Sequence, residues 1–503
     1  MTVTHPQRVA TGIAGFDAIL EGGLLQGGVY ILRGPPGVGK TILANQLCFH
    51  AAAAGGQVVY VTLLAEAHDR MMAHLARLRF FRPELVGNKV YYLAAFRILD
   101  EEGLDGLLKV LRETVAARPA TMIVLDGLMT AEEAAASDRQ FKRFIHDIQT
   151  LSALTGTISI LLSSGQRTQS VQPEHTVVDG IIELSDELTD MRSLRHVQVR
   201  KMRGADQIRG KHLLMISDEG ITIRPRIETR PRLDPSPPKL PDPSRRKRFA
   251  VAALDQMLGG GLPEHSITML LGPTGCGKTI LGLQYLAAGA LDGDPGLYFG
   301  FYESPPELIG KSTRIGLGLE EPVARGLVHL SWQRPVEGVL DVLAERLLSQ
   351  VHEHGIKRLC IDGLHTFGRT IDFPERFNEA IAALGEELAK AGVTTIYTLE
   401  TPELLGAQPE LPLKDISASA QNVIRLRHVE LGARMYRLIS ILKMRDSNYD
   451  SHIYEFRIEE GGIVVADTLR SAAQILTGTV IPETSSPKRA AAKRKKGRKK
   501  AGR

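Results

Sequence analysis

Gly272-Pro-Thr-Gly-Cys-Gly-Lys-Thr279 stands directly behind the apolar run Ile267-Thr-Met-Leu-Leu271. The octet fits G-x-x-x-x-G-K-[ST], and a strand running into it is the setting of a phosphate-binding loop. Gly272, Gly275 and Gly277 let backbone N–H groups turn inward on phosphate oxygens, Lys278 reaches the β- and γ-phosphates, and Thr279 offers a hydroxyl to Mg²⁺. A helix starting at Thr279 adds its positive end to the same anion. The pattern recurs as Gly34-Pro-Pro-Gly-Val-Gly-Lys-Thr41 behind Val29-Tyr-Ile-Leu32, giving Gly34, Gly37, Gly39, Lys40 and Thr41 the same roles. Two matches in equivalent settings make a chance glycine-rich turn a poor reading.

Superimposing the two loops exposes an internal duplication. Thr11-Gly-Ile-Ala-Gly-Phe-Asp-Ala-Ile-Leu-Glu-Gly-Gly-Leu24 precedes the first, and Ala250-Val-Ala-Ala-Leu-Asp-Gln-Met-Leu-Gly-Gly-Gly-Leu262 precedes the second. Asp17 and Asp255 are offset by 238, as are Lys40 and Lys278, so no gap separates leader from loop. Downstream, Val58–Leu64 and Leu297–Tyr302 read as strands, as do Thr157–Leu162 and Val393–Thr398. Strand and helix patterns alternate, which marks an α/β fold with a mainly parallel sheet in each copy. Each copy closes on alternating segments carrying Lys201-Met-Arg-Gly204 or Lys443-Met-Arg-Asp446, expected as antiparallel edge strands. Arg224–Arg248 contains seven prolines and reads as an extended linker. The expected organisation is a first lobe at 1–223, a linker at 224–248, a second lobe at 249–466, and a C-terminal segment at 467–503 ending in a disordered tail.

Hydrophobic residues at 43% and charged residues at 24% describe an ordinary globular chain, and no apolar run reaches the ~20 residues of a membrane span. Met1–Arg8 is polar and unlike a signal peptide, and the three cysteines lack C-x-x-C spacing; a cytoplasmic location is expected. The net charge of +5 conceals an asymmetry: Lys488–Arg503 holds ten basic residues, leaving 52 basic against 57 acidic groups elsewhere, a net of −5. The tail is suited to nucleic acid, an acidic protein partner or an anionic surface, and equally to a solubilising extension.

Met122-Ile-Val-Leu-Asp126 and Leu359-Cys-Ile-Asp362 are apolar strands ending in aspartate. A buried carboxylate needs a cation or hydrogen bonds, and in a P-loop protein this position serves Mg²⁺, which assigns Asp126 and Asp362 to the metal shell. Phosphoryl transfer also needs a carboxylate on the attacking group. Glu303, just after the second-lobe strand, is the candidate base. The gapless equivalent in the first lobe is Ala65, with Glu66 one step late, and one step turns a side chain to the other face of a strand. The first lobe is therefore expected to bind nucleotide and hydrolyse it poorly, unless a bulge restores Glu66.

The doubled loop, the T-G-I-x-G-F-D leader and the K-M-R-G segment closely resemble the KaiC family of RecA-like ATPases over roughly residues 8–466. The resemblance implies a double-ringed homohexamer with Mg²⁺ and ATP bound between neighbouring protomers. Lys201 and Arg203 match the lysine and arginine that this family directs at a neighbour's γ-phosphate, and Lys443 and Arg445 match them in the second ring. Two departures stand out. The family's adjacent glutamates correspond here to Leu64-Ala65 and Tyr302-Glu303, and its serine–threonine autophosphorylation pair falls on Ser417-Ala418. Ser417 alone remains as an acceptor, so a two-site phosphorylation cycle is not expected, and the resemblance is no evidence of circadian timing. Beside an ATPase with serine autokinase activity stand two rivals: a nucleic-acid-dependent RecA-like motor, for which aromatics at 5% are sparse, and a scaffold that uses ATP only to assemble.

Overall fold

The computed structural model describes residues 7–64, 68–164, 177–189, 192–204, 206–334, 338–370, 373–401, 420–431, 434–445 and 447–466. Within them each lobe is built on a nine-stranded sheet. In the first, parallel strands run Val90–Ala94, Val58–Thr62, Met122–Asp126, Ile158–Ser163, Val29–Arg33 and Gly180–Thr189 across the sheet. The antiparallel strands Arg192–Met202, Lys211–Ser217 and Gly220–Arg224 complete one side, and the Lys-Met-Arg strand is the innermost of the three. The second lobe repeats this with Val328–Trp332, Gly296–Gly300, Arg358–Asp362, Thr394–Glu400, Ile267–Gly272 and Asn422–Leu431, then Arg434–Met444, Ile453–Glu459 and Gly462–Val465.

Successive side chains of a strand face opposite sides of its sheet. Tyr30 and Leu32 accordingly join a core with Leu43, Ala44 and Leu47 of the P-loop helix Lys40–Ala53. Val29 and Ile31 join another beneath the helices Phe96–Ala117 and Asp138–Thr155. Burial on both faces explains the near-continuous apolar runs that made these strands legible. The second lobe has the same two layers, with the helix Lys278–Leu291 on one face and Leu340–Glu353 and Phe377–Lys390 on the other.

The proline-rich segment departs from an extended linker at both ends. Ile227–Thr229 forms a 3₁₀ turn and Arg230–Leu233 a short helix, and Ile227, 2% exposed, enters the core of the second lobe. Glu228 accepts two bonds from Arg376 at 2.7 and 2.8 Å, and Asp341 accepts from Arg376 at 3.0 Å and from the Ile227 N–H at 2.9 Å. Asp242–Lys247 is a strand paired antiparallel with Leu262–Glu264, as Arg8–Val9 pairs with Leu24–Leu25 in the first lobe. Proline count hid this, because Pro243 sits in a strand paired on one side only, where a missing N–H costs nothing. Among the described residues no helix is long and apolar enough to cross a membrane.

Candidate functional site

The second-lobe loop leaves its strand at Gly272 and enters its helix at Lys278 through Gly277, whose φ of 103° lies in the left-handed region that glycine alone adopts freely. Lys278 Nζ donates to the carbonyls of Gly272 at 2.8 Å and Pro273 at 2.7 Å, so the ammonium is cradled by the loop it serves. The cleft above is about 550 Å³ and is lined by Gly275, Thr279, Glu303, Lys311, Asp362 and Thr398, among others.

Asp362 ends its strand 4% exposed. Its carboxylate accepts three hydroxyl bonds: Thr279 at 2.7 Å, Tyr298 at 2.6 Å and Thr398 at 2.5 Å. Burial, and then the charge of Asp362, hold the Tyr298 phenol well above its ordinary pKa, so it stays a donor across the working range. An oxygen-only pair of carboxylate and threonine hydroxyl is a donor set that Mg²⁺ takes, with substrate phosphates and water completing its shell. Glu303 lies in the same cleft with its carboxylate on Lys311 Nζ at 2.5 Å, both about a quarter exposed.

The first lobe reproduces the loop but not all that surrounds it. Lys40 Nζ donates to Gly34 O at 2.7 Å and Pro35 O at 2.9 Å; burial lowers its pKa, opposed by the charge of Asp126. Tyr60 donates to Asp126 at 2.7 Å, as Tyr298 does to Asp362. The residue beside Asp126 on the adjoining strand is Leu162, where Asp362 has Thr398. The Thr62 hydroxyl meets His68 Nε2 at 2.9 Å.

The family described as "ATPase: KaiC" matches residues 9–228 and 248–470, taking in both loops, both aspartates and Glu303. The chain belongs to the KaiC ATPase family. It is similar to the "Circadian clock oscillator protein KaiC" of Rippkaea orientalis (strain PCC 8801 / RF-1), 25% identical over 493 residues, which is 95% of this chain and 92% of that protein. It is also similar to the "Circadian clock oscillator protein KaiC 1" of Synechocystis sp. (strain ATCC 27184 / PCC 6803 / Kazusa), 25% identical over 494 residues, 94% of this chain and 92% of the relative. The "Circadian clock protein KaiC3" of the same organism is 26% identical over 491 residues, 94% of each chain. Membership of the KaiC family makes the chain a nucleotide-binding ATPase of tandem RecA-like lobes.

The structure brings Lys278, Thr279, Asp362 and Glu303 to one cleft and leaves the Lys-Met-Arg residues of the KaiC pattern far from it. Lys201 Nζ donates to Val178 O at 2.7 Å and Arg203 Nη1 to Val177 O at 3.0 Å, beside the beginning of the P-loop strand. Lys443 Nζ donates to Ala420 O at 2.8 Å, and the Arg445 N–H to Gln421 O at 3.0 Å. Each pair therefore sits toward the opposite end of its strands from its own loop, the lysines about 10 Å and the arginines about 16 Å away at ~3.3 Å per residue. Glu66 and Ser417 lie outside the described residues, as does the basic tail.

Sequence reasoning missed Tyr60, Tyr298, Thr398 and Lys311. The duplication carried a signal for the tyrosines, since 60 and 298 differ by the same 238 as the loop lysines. Thr398 and Lys311 had none, because only strand pairing and helix placement bring them to Asp362 and Glu303.

Proposed function

We propose that this protein is a Mg²⁺-dependent ATPase whose second lobe is the main hydrolytic centre, and that it assembles as a double-ringed hexamer with each nucleotide shared between neighbours. The observation that carries the reading is the placement of Glu303 in the cleft that also holds Lys278, Thr279 and Asp362. The amides of Gly272–Thr279 and the Lys278 ammonium bind the phosphates, and Asp362 with Thr279 would hold Mg²⁺. Bound there, the ion supplies neutralisation of charge developing on the phosphoryl oxygens. Lys311 fixes the orientation of the Glu303 carboxylate, and Glu303 then orients an attacking water and takes its proton. At the gapless sequence equivalent of Glu303 the first lobe carries Ala65, which supports nucleotide binding with slower turnover.

Assembly is supported by where the Lys-Met-Arg residues stand. They cannot serve their own loop from the far end of the sheet, whereas a neighbour's loop docked against that end would meet two cations. ATP bound only in the assembled form would stabilise the ring by mass action.

The test is Glu303→Gln. It is expected to lower turnover by ~10²–10⁴-fold while ATP binding persists, because the carboxylate acts on the nucleophile and not on the ground-state phosphates. Glu66→Gln is expected to cost far less. Equal loss from both substitutions would make the first lobe a full hydrolase and overturn the assignment. Turnover that rises sharply when DNA or RNA is added would favour the motor reading instead.

A further inference from the structure

Between the lobes lies a cavity of about 1100 Å³, separate from both P-loop clefts. The first-lobe strands Arg192–Met202 and Lys211–Ser217 form one wall, and the end of Val328–Trp332 with the helix Leu340–Glu353 forms the other. Its described lining residues include Arg195, Arg334 and Arg346 and no carboxylate. Arg195 already meets Asp186 at 3.4 Å. Among the described residues the other two have only neutral company: the Arg334 guanidinium lies 5.4 Å from the Trp332 ring centroid, and Arg346 donates to the Gln333 amide at 3.1 Å. Trp332 and Met215, each 38% exposed, give the same cavity a flat aromatic face and a thioether.

This wall is tied to the second catalytic cleft. Trp332 Nε1 donates to the carbonyl of Phe301 at 3.2 Å, and the Gln333 N–H donates to that of Gly300 at 2.8 Å. Both carbonyls belong to the backbone that delivers Tyr302 and Glu303. Arg346, on a different element, grips the Gln333 side chain, so the wall is held from two sides.

We propose that the inter-lobe cavity is a regulatory site for a small anion carrying a flat ring, of the class of a nucleoside monophosphate. Guanidinium groups bind phosphate through paired, charge-assisted hydrogen bonds, and an indole face stacks a planar ring. The volume is ample, since small-ligand sites span ~300–1000 Å³. A monophosphate lacks the β- and γ-phosphates that Lys40 and Lys278 are placed to read, so the P-loops discriminate against it. A ligand resting on Trp332 acts on the Phe301 and Gly300 carbonyls and through them on the position of Glu303. This coupling rests on Glu303 being the hydrolytic carboxylate; the binding does not.

Trp332 is the only tryptophan of the chain, which supplies a reporter inside the site. AMP is titrated into full-length protein with Mg²⁺-ADP saturating the P-loops, and tryptophan fluorescence is read. A saturable change is expected, with affinity at least about tenfold weaker in the double variant Arg334→Ala, Arg346→Ala and for inorganic phosphate alone. ATP turnover of the parent protein should shift at least about twofold over the same AMP range, while the double variant loses the AMP response whatever its own basal rate. No saturable signal up to millimolar AMP, or equal affinity in the double variant, overturns the site. Inorganic phosphate binding as tightly as AMP overturns the flat-ring requirement. Binding that leaves turnover unchanged overturns the coupling, and since fluorescence does not depend on Glu303, that result stays separate from a failure of the hydrolytic assignment.

Discussion

Tyr298→Phe and Tyr397→Phe remove the same atom from neighbouring regions of one sheet and should give opposite results. Tyr298 is buried and donates to the Asp362 carboxylate at 2.6 Å. A hydrogen bond to a charged group contributes about 1.5–3 kcal/mol, and the phenylalanine leaves a buried carboxylate short of one donor. For a lobe of this size each kcal/mol moves Tm by about 2–4 °C, so the second-lobe transition should fall by roughly 3–12 °C. Tyr397 is 1% exposed, and its hydroxyl has no partner among the described residues. Removing it takes away a buried polar group that makes no bond, so Tyr397→Phe should be neutral or slightly stabilising. Differential scanning calorimetry of both variants at one nucleotide concentration reads the contrast directly. Were the two variants to lie within about 1 °C of each other, the ~1.5 kcal/mol assigned to the Tyr298 bond would be refuted.

Burial pushes His212 down to about 4 from its ordinary 6.5, with Arg226 and Arg376 acting in the same direction against Glu228 and the Ile208 carbonyl. The fold holds the neutral ring, so its contribution is full above pH 6.5 and is lost as pH falls toward 4; the unfolding free energy from urea titration should drop through that window by up to roughly 3 kcal/mol, and His212→Gln should flatten the drop. Arg376→Met leaves Glu228 and Asp341 facing each other where the linker meets the second lobe, at a cost of about 3–5 kcal/mol; added Asp341→Asn should recover part of it, as read by Tm. Light scattering should show the particle growing when Mg²⁺-ATP is added, and Lys443→Ala with Arg445→Ala should keep it small; a monomer at saturating ATP in the parent protein would refute the shared-site arrangement.

The two loops, the strands behind them and the duplication were legible because their chemistry is local. Glycine conformation, a lysine at fixed spacing and strands buried on both faces leave a continuous pattern in the chain, and the constant offset of 238 repeats it. The same reasoning reached Asp126 and Asp362, since a charge ending an apolar run needs an explanation wherever it stands. What tertiary structure decided is which groups answer those charges. Thr398 reaches Asp362 through parallel pairing across 36 residues, and Lys311 reaches Glu303 because a capped helix turns it back over the cleft. The proline-rich segment misled for a related reason. Its composition describes a free chain, yet Ile227 finds a core and Glu228 finds Arg376 148 residues away. The inter-lobe cavity lies furthest from the sequence, because Arg195 and Met215 of the first lobe face Trp332, Arg334 and Arg346 of the second only when both sheets are folded and docked.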